Sequence, residues 1–250
     1  MVKIIGEKLD LGGKAVVELP DGKYVFPKQI EPFSTTANLD SEKYAMIQEG
    51  DEANSAISMK QGFNGKNHLE THIEVLNSGL IISKSLDFIT HLVNVNNALA
   101  RKGVLYDANG ELIEGKRLAD YANILNHDCW VRLNESFEKG QGFLDLNIVY
   151  VTGLDENKKP VFKKEPLQSC LEKDCYADLE SRNKQGYPTQ KSPVQKYEQG
   201  KSVYFSHPKE NMAVRFDANP DGAGFGCYGN PRVANAGLGV FACAEGAKKI

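Results

Sequence analysis

Residues 222–239 read GAGFGCYGNPRVANAGLG, and the fold turns on what these glycines are for. Gly224, Gly226 and Gly229 match the G-x-G-x-x-G spacing of a dinucleotide-binding turn. Such a turn opens a helix whose N-terminus meets a pyrophosphate, inside a βαβ unit. Asn230-Pro231 follow at once, and the chain to Ile250 is too short for a crossover helix and a returning strand. No G-K-[ST] follows the glycines either, which removes a P-loop. The glycines are therefore expected to set turns and close backbone approaches.

The rest of the chain gives the order of elements. Residues 14–26, KAVVELPDGKYVF, read as a hairpin turning at Pro20-Asp21-Gly22. Residues 68–76, HLETHIEVL, alternate and predict a strand. The spacing of Phe88, Leu92, Val95 and Leu99 predicts a helix over 85–102, with Ser85 as its cap, Asp87 in its first turn and Gly103 beyond its end. A second hairpin turns at Asn109-Gly110, and a second helix over 116–127 gathers Leu118, Tyr121, Ala122 and Leu125. Strands are predicted at 129–133, 142–154, 160–164, 202–206, 212–216 and 238–243, with a long polar loop over 181–200. Helices grouped between strands give an α+β chain, not an alternating α/β one. It reads as one domain: a β-rich part over 1–75, a scaffold over 76–212 and a distinctive segment over 213–244.

Composition bounds the function. Hydrophobic residues make up 41% and charged residues 25%, ordinary for a folded chain, and the net charge of −3 offers no electrostatic footprint for nucleic acid. No apolar run spans a bilayer and no apolar leader opens the chain, so synthesis in the cytoplasm without membrane insertion is expected. Five cysteines argue against a disulfide framework, and Cys170-x4-Cys175 lacks a second pair to complete a zinc site.

Other candidates are weighed against plainer readings. On a strand, His68, Glu70, His72 and Glu74 would share one face and could ligate a metal, supporting a metal-dependent enzyme or metal-binding β protein. The plainer alternative is a solvated polar face with Leu69, Ile73 and Val75 inward. His127, Asp128 and Cys129 are adjacent, but a Cys-His enzyme draws its partners from separate parts of the chain, and Cys129 beside Trp130 reads as core. No G-x-S-x-G is present.

The decisive signal is what Ala213 to Ala244 omits. Lys, Glu, Gln, Met and Trp are all absent there. The residue types present can all be reached from an Asn codon by changing its two adenines, and the five absent types cannot. This footprint of adenine-directed mutagenesis, closed by the apolar stretch Asn235-Ala-Gly237-Leu-Gly239-Val-Phe, resembles the variable region of a diversity-generating retroelement target protein, in type the archaeal-virus variable protein. The N-x-G-F-R ending of better-known members is only approximated. The resemblance implies a C-type-lectin-like fold: early strands, two helices, then a meander of short strands and long loops with the variable region last. It implies a ligand-binding display protein rather than an enzyme, with no cofactor, whose partner is a protein or glycan receptor on a host or target surface. In a virus it would serve host attachment on the virion. Asp217, Asn219, Asp221, Phe225, Tyr228, Asn230, Arg232 and Asn235 would project outward as the binding face, between glycines that fix the backbone. Tyr, Asn, Asp, Arg and Gly are also the vocabulary of antibody paratopes.

Overall fold

The alternation in GAGFGCYG makes a strand, β12 (Gly222–Gly229), with Ala223, Phe225 and Cys227 turned to the core and Gly222, Gly224 and Gly226 turned outward. The computed structural model describes residues 17–18, 24–25, 39–49 and 52–246. β12 lies inside a seven-stranded sheet with β6 (Cys129–Lys139), β7 (Leu146–Leu154), β8 (Pro160–Pro166), β9 (Cys175–Asp178), β10 (Ser202–Ser206) and β11 (Ala213–Asn219), in the order β8-β7-β6-β11-β12-β10-β9. Neighbours pair antiparallel except β10 and β12, which run parallel.

A second sheet has the order β3-β4-β13-β5, built from β3 (Tyr44–Glu49), β4 (Glu52–Ser58), β5 (Ile81–Ile82) and β13 (Ala242–Glu245). The last described strand thus returns to pair with an early one, Cys243 opposite Ile57. At the start of the chain β1 (Val17–Glu18) and β2 (Tyr24–Val25) pair antiparallel, as the hairpin reading requires; its turn at Pro20-Asp21-Gly22 lies outside the described residues.

Two helices cover the inner face of the large sheet. α2 (Ser85–Leu99) and α3 (Gly115–His127) fall close to their predicted ranges. Phe88 of α2 packs on Phe216 of β11 at 4.9 Å and on Phe241 at 6.1 Å between ring centres, and Leu118, Tyr121 and Leu125 of α3 join the same core. Each buried phenylalanine contributes about 2–3 kcal/mol of burial free energy, so this aromatic layer fixes the sheet against the helices. The turn at Asn109-Gly110 forms as expected: Gly110 takes a φ of 83°, and Asp107 accepts from the amides of Asn109 and Glu111.

The strand predicted over 68–76 is instead a third helix, α1 (His68–Asn77). Asn67 and Glu70 form a reciprocal capping box, each side chain accepting from the other's amide at 3.0 Å. The buried positions His68, Thr71, His72 and Val75 then follow the helical spacing. A short polar alternation concealed a 3.6-residue period. The part of the chain read as β-rich therefore also holds the start of a helix.

Candidate functional site

On a helix, the four residues proposed as metal ligands separate. His68 and His72 face inward, with 6% and 1% exposure, and their rings meet edge to face at 4.7 Å. Glu70 is exposed and engaged in the capping box, and Glu74 is half-buried beside Lys66 Nζ at 3.0 Å. This corrects the metal reading: the imidazoles and carboxylates lie on different faces, and among the described residues no three His, Cys, Asp or Glu side chains gather as ligands would. Burial pushes His68 down to about 4 and His72 well below the ordinary histidine range; neighbouring positive charge, Arg132 foremost for His68, acts in the same direction. Both rings are neutral packing elements at neutral pH. Cys170 is buried, Cys175 is half-buried, and all five cysteines are free thiols.

The C-terminal segment forms the outer face of the large sheet and the loop leading away from it. Asn219, Asp221, Tyr228, Asn230 and Arg232 are exposed, and Asp217 and Asn235 are half-buried. Val214, Val240 and Phe241 are fully buried beneath them. Phe225 is a correction. It is 0% exposed and sits between Tyr187 and Phe205, with both ring centres 5.8 Å away. No strand is predicted here; in β12 Gly222, Gly224 and Gly226 share the outward side with Tyr228, and Ala223 and Phe225 face in. Asn219, Asn230 and Asn235 also do local work. Each Oδ1 accepts from the amide two residues on, Asp221 N at 2.9 Å, Arg232 N at 3.0 Å and Gly237 N at 2.9 Å. These are Asx turns that shape the loops.

The loop over 230–240 is held through its own main-chain groups: Gly239 N donates to Trp130 O at 3.1 Å, Val240 N donates to Gly62 O at 2.9 Å, and several loop carbonyls accept from outside. His68 N donates to Pro231 O at 2.9 Å, Gly65 N to Asn235 O at 3.1 Å and Gly62 N to Val240 O at 3.0 Å. Arg132 Nη2 donates to Val233 O at 2.7 Å, and Gln61 Nε2 to Gly237 O at 2.9 Å. The five donors to these carbonyls lie outside 213–244. Arg132 is only 1% exposed, and it also donates to Lys66 O, tying the loop to the entry of α1.

Sequence reasoning missed the residues that frame this face. Trp130 and Tyr204, each at 43% exposure and both outside 213–244, project from two strands beside Tyr228, which is expected outward and is 47% exposed. The signal was available: in Cys129-Trp-Val-Arg and Ser202-Val-Tyr-Phe the apolar neighbours alternate with an outward ring. An open groove of ≈ 450 Å³ lies apart from this face, among Leu144, Glu172, His207 and Lys209. His207 Nδ1 lies 2.6 Å from Asp174 Oδ1, and no Ser, Thr or Cys lines the groove.

Among the described residues no helix is long and apolar enough to cross a membrane. No protein-family model, curated protein or solved structure matches the chain.

Proposed function

We propose that this protein displays a diversified binding face for a protein or glycan receptor. It does so on a C-type-lectin-like fold, as the variable protein of a diversity-generating retroelement; in a virus this would serve host attachment. The observation that carries the reading is the anchoring of the loop over 230–240. Donors from outside the segment grip main-chain carbonyls within it. A carbonyl is present whatever the side chain, so the loop keeps its path when its exposed residues change. That is the physical requirement for a surface that varies without unfolding. Asp221, Tyr228 and Arg232 have side chains free to do so, and their neighbours Val214, Val240 and Phe241 keep the core. The order of two long helices followed by strands and loops, with the segment last, accords with the same family.

Two measurements test the proposal. The gene's neighbourhood should hold a template repeat that differs from the coding segment for 213–244 only at adenines, beside a reverse transcriptase; a complete neighbourhood without them overturns diversification. A library randomised at Asp221, Tyr228 and Arg232 should fold with melting temperatures spread over only a few degrees. General collapse of that library would overturn the display reading.

A further inference from the structure

One row of side chains crosses the outer face of the large sheet. Trp130 pairs with Asp217, Asp217 with Gly224, Gly224 with Tyr204, and Tyr204 with Tyr176. Residues in register on adjacent strands point to the same side, so these five positions form a strip across five strands. Gly224 leaves a gap in it. A Cβ placed there would lie 3.1 Å from both carboxylate oxygens of Asp217, so the carboxylate leans over Gly224 towards Tyr204. The Tyr228 ring lies over the neighbouring Gly226, whose Cβ would fall 2.2 Å from Tyr228 Cε1. Tyr176 meets Tyr204 edge to face at 5.3 Å and steadies it.

The Asp217 carboxylate thus lies in the row between Trp130, whose ring edge rests over Gly237, and Tyr204, with Tyr228 as a close electrostatic neighbour. Among the described residues the carboxylate has no hydrogen bond and no ion pair. Arg215, two residues away on the same face, reaches the other way: its Nε and Cγ are the atoms that crowd Gly229. Burial raises the Asp217 pKa, and the more distant Arg215 offsets this only in part.

A half-buried carboxylate without a partner is costly, and aromatic faces around it reward a cation. Open acceptor lone pairs further select a cation that carries N–H donors. A sugar hydroxyl could accept and donate there, but it would leave the charge uncompensated. We propose that Asp217, Tyr204 and Tyr228, with Trp130 next to Asp217 in the row, form a subsite for a primary ammonium group, the lysine side chain of a protein receptor. This rests on the reading of the same face as the display surface and names its partner's chemistry. Trp130 and Tyr204 lie outside 213–244, so the subsite joins a frame from the scaffold to residues from the segment.

Trp130 is the sole tryptophan, and its emission reports on the subsite directly. The full chain is titrated with Nα-acetyl-lysine methylamide, its Nε-acetylated analogue, tetramethylammonium chloride and a methyl pyranoside. The lysine amide is expected to shift Trp130 emission saturably with a roughly millimolar Kd, and the other three to be weaker by about tenfold or more. D217N, checked for native circular dichroism, should lose about tenfold for the lysine amide, and Y204A several-fold. Equal binding of the Nε-acetylated analogue, equal binding of tetramethylammonium, or an unaffected D217N overturns the proposal. Saturable binding of the pyranoside alone overturns it as well, yet leaves the display reading intact; that reading fails separately, on the gene neighbourhood and the folding of the library.

Discussion

The amide of Ser85 donates to Glu135 Oε1 at 2.7 Å, and the Ser85 hydroxyl to Oε2 at 3.0 Å. A fully buried carboxylate on β6 therefore satisfies the first turn of α2. Ser85 is not the cap: Lys84 holds that position and makes no side-chain cap bond. The helix start is joined to the sheet by a tertiary contact in place of a local one.

Removing that acceptor has a defined cost. E135A leaves two buried donors without partners and should destabilise by about 2–4 kcal/mol in urea unfolding. E135Q should cost less, with a set pH dependence. Burial raises Glu135 to about 7, against the lowering effect of the Ser85 bonds. The folded state thus holds the proton more tightly, and this contribution is full below about pH 4.5 and fades as pH rises through 7. E135Q should therefore lag the wild type most at pH 4.5 and least at pH 7.5.

Acid should weaken the protein through its histidines. Burial lowers His68 to about 4 and His91 to about 3, and His72 falls well below its ordinary value. The unfolded chain takes up these protons near pH 6.5 and the folded chain does not, so stability falls with pH below 6.5. His68 alone accounts for about 3 kcal/mol between pH 6.5 and 4. Three imidazoles outweigh the opposing Glu135, and urea midpoints measured from pH 7 to 4.5 should drop steadily. A flat profile would refute the neutral packing of this group.

Phe225 and Tyr228 should behave as opposites despite lying three residues apart. F225A opens a cavity against Tyr187 and Phe205 and should cost about 3–5 kcal/mol. Y228A removes a side chain 47% exposed and should change stability by about 0.5–1 kcal/mol while weakening the ligand subsite. Thermal melts of the two variants separate core from face.

Arg132 should govern the mobility of the loop over 230–240. R132A frees the carbonyls of Lys66 and Val233 and should cost about 2–4 kcal/mol. Amide exchange measured by mass spectrometry should accelerate over 231–238 more than in β10. Uniform acceleration would show that Arg132 serves global stability alone.

Glycines on this chain are not equivalent. Gly186 takes a φ of +91°, and a Cβ there would lie 2.4 Å from Leu86 N, so G186A should lose about 3 kcal/mol or more. Gly222 has open space and no such φ, and G222A should stay within about 0.5 kcal/mol of the wild type. Soluble yield and melting temperature check both.

Much of the fold was legible in local pattern. The periodicity of Phe88, Leu92 and Val95, and of Leu118, Tyr121 and Leu125, placed two helices, because a helix buries one face at a fixed spacing whatever it packs against. The alternation in residues 129–133, 202–206 and 212–216 placed strands for the same reason. Two signals were present but missed. The capping box at Asn67 and Glu70 marked a helix start, and the apolar residues of β12 marked its inward phase.

The sequence by itself determined the α+β class, the places of α2 and α3, and the unusual residue vocabulary of 213–244. Tertiary structure alone decided which side chains meet. The row from Trp130 through Asp217 to Tyr204 joins residues from strands far apart in the chain, brought together by sheet order and register. The grip of Arg132 on Val233, 101 positions away, likewise depends on where two elements pack. Local pattern fixes which face of an element is buried; only the packing of the whole sheet fixes its neighbours. The glycines of β12 that opened the question are a floor, left low so that Asp217 and the rings around it can be reached.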